Sequence, residues 1–526
     1  MTGVVSPDTP LNLSIGLPID RQGLAQAAQA IYNPSSSRYG HYLAPSQIAR
    51  QFGASNAAIQ QVSHWLTGQG FQIVSSSPLR TNLVVRATAA RIAQAFHLLL
   101  QERSLNGRAF FSPSAAPTLP ASIAPLITSI SGLSNYAQIG HFPLRAASAV
   151  SQVTPQAGQQ PGIGDCTLYG VLGGVTRDKI AQTYAFTQLY NKGFRGEGMK
   201  IGVVELGDPY SRNDVANYAL CNGAQLHLRN VQVDGPLPAG AGAGEATLDL
   251  EMIAGLAPEA EMLDYQASTN GTNGFLDALN QIAADDQVQV VSVSYGLQED
   301  QFPAGDLVQF NDTLEVLAVE GISVFIASGD CGAFTNGVYG QLSVSFPASA
   351  PWAIGVGGTS FPPGGGEIAW YSQDPDRRDC QNTWGTGGGL SQVKGFTRPL
   401  WQTGSGVQNQ YSNGERQVPD VAAVADDISI YLQGSWGAVG GTSASAPMWA
   451  AGTTLVDQAL QKQGKPFLGG VPTLYRIANH PGKFQPFHDI TQGNNLYYKA
   501  GPGWDYPTGL GTPDFLDIAR VLGAAI

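Results

Sequence analysis

Charge is scarce in this chain of 526 residues: Asp, Glu, Lys and Arg together make up 13% of it. No Lys/Arg-rich run occurs and the net charge is −12, which argues against nucleic acid as a partner. No apolar run approaches the ~18 residues of a membrane span, so a soluble protein without a membrane partner is expected. The N-terminus, MTGVVSPDTPLN, lacks a basic start followed by an apolar stretch, and so does not read as a secretory signal. Histidine is rare, with seven in all, and only His227, His480 and His488 lie beyond residue 174. The four cysteines, Cys166, Cys221, Cys331 and Cys380, are spaced by 55, 110 and 49 residues, which matches no zinc site. Two disulfides in any of three connectivities, or free buried thiols, both remain open.

Apolar residues make up 43% of the chain, enough for real cores and too many for a disordered chain. The length suggests about two to four domains. Charge is unevenly spread: residues 1–150 carry nine Arg, no Lys and three acids, a net +6. The remainder carries 18 basic and 36 acidic residues, a net −18. These two parts attract at neutral pH, and the attraction should fade as carboxylates take up protons.

Residues 11–140 read as one α+β unit. LNLSIGLPI, FQIVSS, NLVVRAT and AFFS read as strands. Helices are predicted over Leu24–Ile31, capped by Asp20, over Ala57–Gly68, and over AARIAQAFHLLL. From His141 to Gly174 the chain is rich in Ser, Gln, Gly and Pro, the composition of an exposed linker open to proteolysis. Beyond it, MKIGVVEL, VQVVSVSYG, ISVFIASGD and AIGVGGTS are β-branched apolar runs, as in buried parallel strands. Amphipathic helical segments such as LDLEMIAGLA and QFNDTLEVLAVEG alternate with them. The expected fold class is α/β, a doubly wound parallel sheet, with its site at the carboxyl ends of the strands.

Three strings carry chemistry. GGTSASAP places Ser443 at a helix opening, where the positive end of the helix and unpaired N–H groups favour developing negative charge. A serine nucleophile needs a base. None of the three late histidines stands in a glycine-bounded turn after a strand, and no GxSxG elbow surrounds Ser443, so a Ser-His-Asp triad is poorly supported. In GEATLDLEM, Glu245 and Asp249 are four apart on a helix and share a face. Two close carboxylates raise the pKa of one, so such a pair can accept and share a proton in acid. In SVFIASGDCG, Asp330 ends a buried strand where the site should lie; alone, such an aspartate ordinarily caps its own turn.

Together these strings resemble the sedolisins, the serine-carboxyl peptidases, and among them the kumamolisin-like pro-enzymes. GGTSASAP matches the nucleophile motif, GEATLDLE the Glu/Asp helix and SGDCG the oxyanion turn, all in family order. YNPSSSRYGHYLAPSQIARQF followed by VSHWLTGQGF is similar to the family prosegment. FHDITQGNN and AGPGWDYPTGLGTP are similar to its C-terminal calcium loops. The resemblance implies a subtilisin-like peptidase domain over 175–526, an inhibitory, ferredoxin-like prosegment over 1–140 acting in cis, and a cleavable linker over 141–174. It implies Glu245 as general base to Ser443 and later general acid, Asp249 as its partner, and a protonated Asp330 as oxyanion donor. It implies one structural Ca²⁺ at Asp489, Ile490, Gly501, Gly503 and Asp505. Glu205 matches an outer member of the proton network, whose next member, a tryptophan in the family, is here Tyr295. VSVSYG resembles the edge that pairs with substrate backbone, with Gly387–Gly389 as an opposite wall.

The implied protein is a secreted, monomeric, acid-acting, self-processing endopeptidase of peptide and protein substrates. Three rival readings make different demands on the sequence. A catalytically weak or dead peptide-binding relative predicts loss of one of the four residues, and all four are present. A serine esterase predicts an elbow and a serviceable histidine. A calcium-dependent adhesion protein leaves GTSASAP unexplained.

Overall fold

The computed structural model describes residues 3–105, 107–137, 140–141, 145–146, 166, 174–233, 244–268, 271–335, 337–338, 340–371 and 384–526. The chain forms two compact units. One holds residues 1–139, 267–286 and 300–320; the other holds 140–266, 287–299 and 321–526.

In the first unit, strands Gln72–Ser76, Asn82–Thr88, Pro10–Gly16 and Ser129–Ser131 form one sheet in that order. Alternation along Pro10–Gly16 turns Leu11, Leu13 and Ile15 into a core with Val62, Leu66, Val85, Ile92 and Phe96. Helix Arg21–Tyr32 begins where Asp20 accepts from the Gly23 N–H, and helix Asn56–Gly68 where Ser55 accepts from Ala58. The helix expected over AARIAQAFHLLL is shorter. It spans Ala89–Phe96 and ends at His97, whose φ of 55° is left-handed. Leu100 then enters a strand, Leu100–Leu105, paired with Arg108–Pro113 in a separate sheet that the sequence pattern did not reveal.

Two helices of the later sequence, Asn273–Asp285 and Ala304–Glu320, belong to this unit. Ser14 Oγ donates to Gln309 Oε1 at 3.0 Å, and Gln309 Nε2 donates to Ser131 Oγ at 3.0 Å. The Tyr32 hydroxyl donates to the Ala318 carbonyl at 2.6 Å. Arg21 grips Asp312 through two hydrogen bonds of 2.7 Å. The prosegment-like residues are thus held by groups that follow them by 178 to 295 positions.

The second unit is built on a mostly parallel sheet, ordered Leu228–Gln232, Glu261–Ala267, Lys200–Leu206, Val290–Val293, Ser323–Ala327, Ile354–Ser360. Val421–Val424 pairs parallel with the last of these, and Ile368–Ala369 antiparallel. Lys200–Leu206 is first in sequence but sits inside the sheet, so strand order reverses there, and the carboxyl ends around it are the expected place for a site. Helix Gly244–Leu256 departs from the amphipathic expectation: every residue from Glu245 to Leu256 is buried. It packs against helices Thr442–Gln461 and Arg212–Cys221 and strand Ile428–Leu432, so protein covers it all round.

Two short strands come from the stretch expected to be an exposed linker. Gly140–His141 pairs antiparallel with Tyr295–Gly296, and Arg145–Ala146 pairs with Val439–Gly440. Apart from Arg145–Ala146, Cys166 and Gly174, residues 142–174 lie outside the described residues. Cys166 is bridged to Cys221, which selects one pairing from those open. Cys331 is also disulfide-bonded; Cys380 lies outside the described residues. Among the described residues no helix is long and apolar enough to cross a membrane.

Candidate active site

Helix Thr442–Gln461 opens after Gly441, whose φ of 155° suits glycine and whose added Cβ would lie 2.9 Å from Asp330 Oδ2. Ser443 is the second residue of this helix and is fully buried, so its backbone N–H has no acceptor within the helix. Pro447 stands one turn further in than the first turn expected for it; with no N–H, it makes no bond to the Ser443 carbonyl four residues before it.

Glu245 and Asp249 both reach this opening from helix Gly244–Leu256. Burial pushes the Glu245 carboxyl well above its usual range and the charge of Asp249 adds to it, while the polar Ser443 side chain beside it opposes the shift. Burial likewise raises Asp249, opposed by the hydroxyl of Ser294 and reinforced by Asp208 and Asp264. Ser294 Oγ lies 2.8 Å from Asp249 Oδ1 and 3.2 Å from the Ser443 carbonyl oxygen.

Asp330 sits just past strand Ser323–Ala327. Its Oδ1 accepts from the backbone N–H of Thr442 at 2.7 Å and from the Thr442 hydroxyl at 2.8 Å. Its Oδ2 has no hydrogen-bond partner among the described residues and faces Gly441. Burial raises this carboxyl to about 7, against the two Thr442 bonds. A protonated Asp330 can therefore donate from Oδ2 beside the N–H of Ser443.

Glu205, at the end of strand Lys200–Leu206, accepts from the Tyr295 hydroxyl at 2.7 Å; Asp208 Oδ2 lies 3.3 Å from the same hydroxyl. Burial raises Glu205 strongly, and Asp249 and Asp264 add to it. Asp264, raised to about 7 by burial, is a further buried acid that sequence reasoning missed. Ser294 and Thr442 were missed as well. Each adjoins a residue that was singled out, Tyr295 and Ser443, and that adjacency was the available signal.

The late histidines stay away from this cluster. His227 and His480 are exposed, and His488 lies in a short strand beside Glu367 and Asp514. Gly387–Gly389 does not form an open wall. The Gly387 N–H is given to the Gly329 carbonyl at 2.7 Å, its carbonyl accepts from Ser328, and Gly389 pairs with Val418. These glycines buttress the Asp330 turn, because a Cβ at Gly387 would collide with the Ser328 carbonyl.

The predicted metal residues come together in a second place. The Gly503 N–H donates to Asp489 Oδ2 at 2.9 Å, and the Gly501 N–H to Asp505 Oδ2 at 2.7 Å. Asp505 is raised to about 7 by burial, with the charge of Asp489 adding. Two carboxylates that repel, beside glycine-rich backbone, form a donor set that fits a hard divalent cation. Among the described residues no group of three or more His, Cys, Asp or Glu is arranged so that it could hold a metal ion.

A buried serine beside buried carboxyls, carried on a subtilisin-like parallel sheet, is the arrangement expected of a serine-carboxyl peptidase. Residues 1–136 match the pro-kumamolisin activation domain, and residues 235–468 match the subtilase family. Kumamolisin of Bacillus sp. (strain MN-32) is 31% identical over 502 residues, covering 91% of this chain and 86% of that protein. Sedolisin of Pseudomonas sp. (strain 101) is 28% identical over 532 residues, covering 95% and 84%. A solved structure of Pseudomonas sedolisin, complexed with two molecules of pseudo-iodotyrostatin, aligns with a TM-score of 0.55 at 28% identity, over 63% of this chain and 94% of that one. The chain belongs to the sedolisin family: it is a serine-type peptidase preceded by an activation domain.

Proposed function

We propose that this protein is an acid-acting endopeptidase, made as a zymogen that cuts its own linker, with Ser443 as nucleophile and Glu245 as its base. The observation that carries this reading is the placement of fully buried Ser443 and fully buried Glu245 together at the opening of helix Thr442–Gln461, with Asp249 one helical turn from Glu245. In the first step the Ser443 oxygen attacks the peptide carbonyl carbon. The Ser443 O–H breaks as Glu245 takes the proton, and the carbonyl oxygen becomes an oxyanion. Asp330 and the Ser443 N–H donate to that oxyanion. As the intermediate collapses, Glu245 returns the proton to the leaving amine. Water then hydrolyses the acyl-enzyme by the same route. Asp249 holds Glu245 and shares its charge.

The substrate would add as a strand along Tyr295–Gly296, as Gly140–His141 does. The prosegment would inhibit in cis at neutral pH and release in acid. Protonation removes negative charge from the −18 segment and weakens Arg21–Asp312. Asp489 and Asp505, with the carbonyls of Ile490, Gly501 and Gly503, would hold one Ca²⁺, which would stabilise the loops and take no part in bond cleavage. Action outside the cell as a monomer accords with this chemistry.

The test is incubation of the full chain at about pH 4 with a casein digest, following chain mass and peptide products. Self-cleavage and new peptides are expected, and both should vanish in Ser443→Ala. Unchanged self-cleavage by that variant would remove Ser443 as nucleophile.

A further inference from the structure

A proline inside a helix leaves one carbonyl without its N–H. Pro447 does this to Ser443, whose oxygen also marks the start of the helix that carries the nucleophile. Ser294, buried at the end of strand Val290–Val293, places its Oγ 3.2 Å from that carbonyl and 2.8 Å from Asp249 Oδ1. We propose that Ser294 is a positioning residue of the peptidase centre: its hydroxyl stands in for the N–H that Pro447 lacks and ties the nucleophile's helix to Asp249. This rests on the roles proposed above for Ser443 and Asp249.

Proton counting gives the link a direction. Ser294 carries one hydroxyl proton and faces two acceptors. When Asp249 is ionised, it draws that proton, and the Ser443 carbonyl is left unsupported. When Asp249 is protonated, its O–H donates to Ser294 Oγ and Ser294 donates to the Ser443 carbonyl. Both buried acceptors are then satisfied, so the acid form of the cluster is the one that holds the nucleophile's helix. The groups that act on Asp249 are Glu205, Glu245, Asp208 and Asp264, all acids, with Ser294 as the neutral donor. Burial and these charges keep Asp249 protonated well above the ordinary aspartate range, consistent with that form persisting in acid. An orphaned buried carbonyl costs about as much as a lost hydrogen bond, enough to explain why the hydroxyl is placed there.

The experiment uses the full chain, activated in acid, with a fluorogenic peptide read over a pH series and thermal melting in parallel. The variants are Ser294→Ala, Ser294→Thr, Pro447→Ala, Ser294→Ala/Pro447→Ala and, as control, Ser443→Ala. Ser294→Ala is expected to lose about 10- to 100-fold in kcat with little change in KM, and to melt earlier. It should also move the limb set by Glu245 and Asp249 to higher pH, because the hydroxyl favours ionised Asp249. Ser294→Thr, which keeps the hydroxyl, should restore most of the rate. In the double variant the backbone N–H regained at position 447 is expected to recover the melting temperature, but neither the rate nor the pH limb. Wild-type kinetics in Ser294→Ala would overturn the proposal. So would full kinetic recovery in the double variant, since Ser294 would then only cap a helix. Should Ser294→Ala fail to accumulate, Ser294→Cys, a weaker donor, replaces it under the same expectations. Activity persisting in Ser443→Ala would instead strike at the proposed nucleophile, which keeps the two failures distinct.

Discussion

Asp330 and Thr442 meet twice: one carboxyl oxygen accepts both the backbone N–H and the hydroxyl of Thr442, at 2.7 and 2.8 Å. Those bonds fix the carboxyl and leave its other oxygen toward Gly441, where only a protonated acid can donate. Burial raises Asp330 to about 7, so it is protonated in acid and loses its donor proton as pH rises through that value. Asp330→Ala is expected to lose about 10²- to 10³-fold in kcat. Asp330→Asn should retain more, because an amide also donates, and its alkaline fall-off should flatten. A pH series of kcat for the three proteins checks this; equal losses in both variants would remove the donor role.

Several buried carboxyls share this sense of shift, which makes stability depend on pH. Asp330 and Asp264 rise to about 7 and Asp457 to about 8, each chiefly through burial. The folded state then binds more protons than the unfolded one between the ordinary aspartate pKa and those values. Stability therefore falls as pH rises across that window. The melting temperature should be several degrees higher near pH 5 than near pH 8. A higher value at pH 8 would contradict these environments.

The bridge from Cys166 to Cys221 constrains processing. A cut before Cys166 frees the prosegment, whereas a cut after it leaves the prosegment covalently attached. The expected mature chain begins between residues 142 and 166 and keeps its disulfide. Mass spectrometry of acid-processed protein, with and without reductant, decides. A prosegment released only by reductant would place the cut after Cys166.

Asp505 and Asp489 predict a thermal effect of calcium. Chelation should lower the melting temperature, added Ca²⁺ should raise it with concentration, and Asp505→Ala should abolish that response. Per-site kcat below the melting range should stay unchanged on chelation. A melting curve indifferent to both metal and chelator would remove the calcium assignment.

Much of the centre was legible because its chemistry is local. GGTSASAP, GEATLDLE and SGDCG each place one role within a few residues of sequence, and the helix repeat puts Glu245 and Asp249 on one face. Ser294 was not legible as a partner of Ser443, since only the strand order brings Val290–Val293 beside the start of helix Thr442–Gln461. The burial of Gly244–Leu256 on all sides was hidden too, because its covering comes from residues far along the chain. Gly387–Gly389 was given as an opposite wall by the resemblance, which does not say what lies against these glycines; here Gly387 is bonded to the protein's own Ser328 hydroxyl and Gly329 carbonyl. The helix predicted through Leu100 overran because apolar periodicity does not register a left-handed stop such as His97. Cysteine pairing depends on three-dimensional distance, which spacing does not supply.

The central claim is that a carboxylate, not a histidine, takes the proton from Ser443. It is tested most directly by kcat of Glu245→Gln at about pH 4, measured on a peptide with the fold verified by circular dichroism and compared with His227→Ala, His480→Ala and His488→Ala. The account predicts a loss of about 10³-fold or more for Glu245→Gln and near wild-type rates for the three histidine variants. A Glu245→Gln enzyme within about tenfold of wild type, or a histidine variant with the large loss, would contradict it.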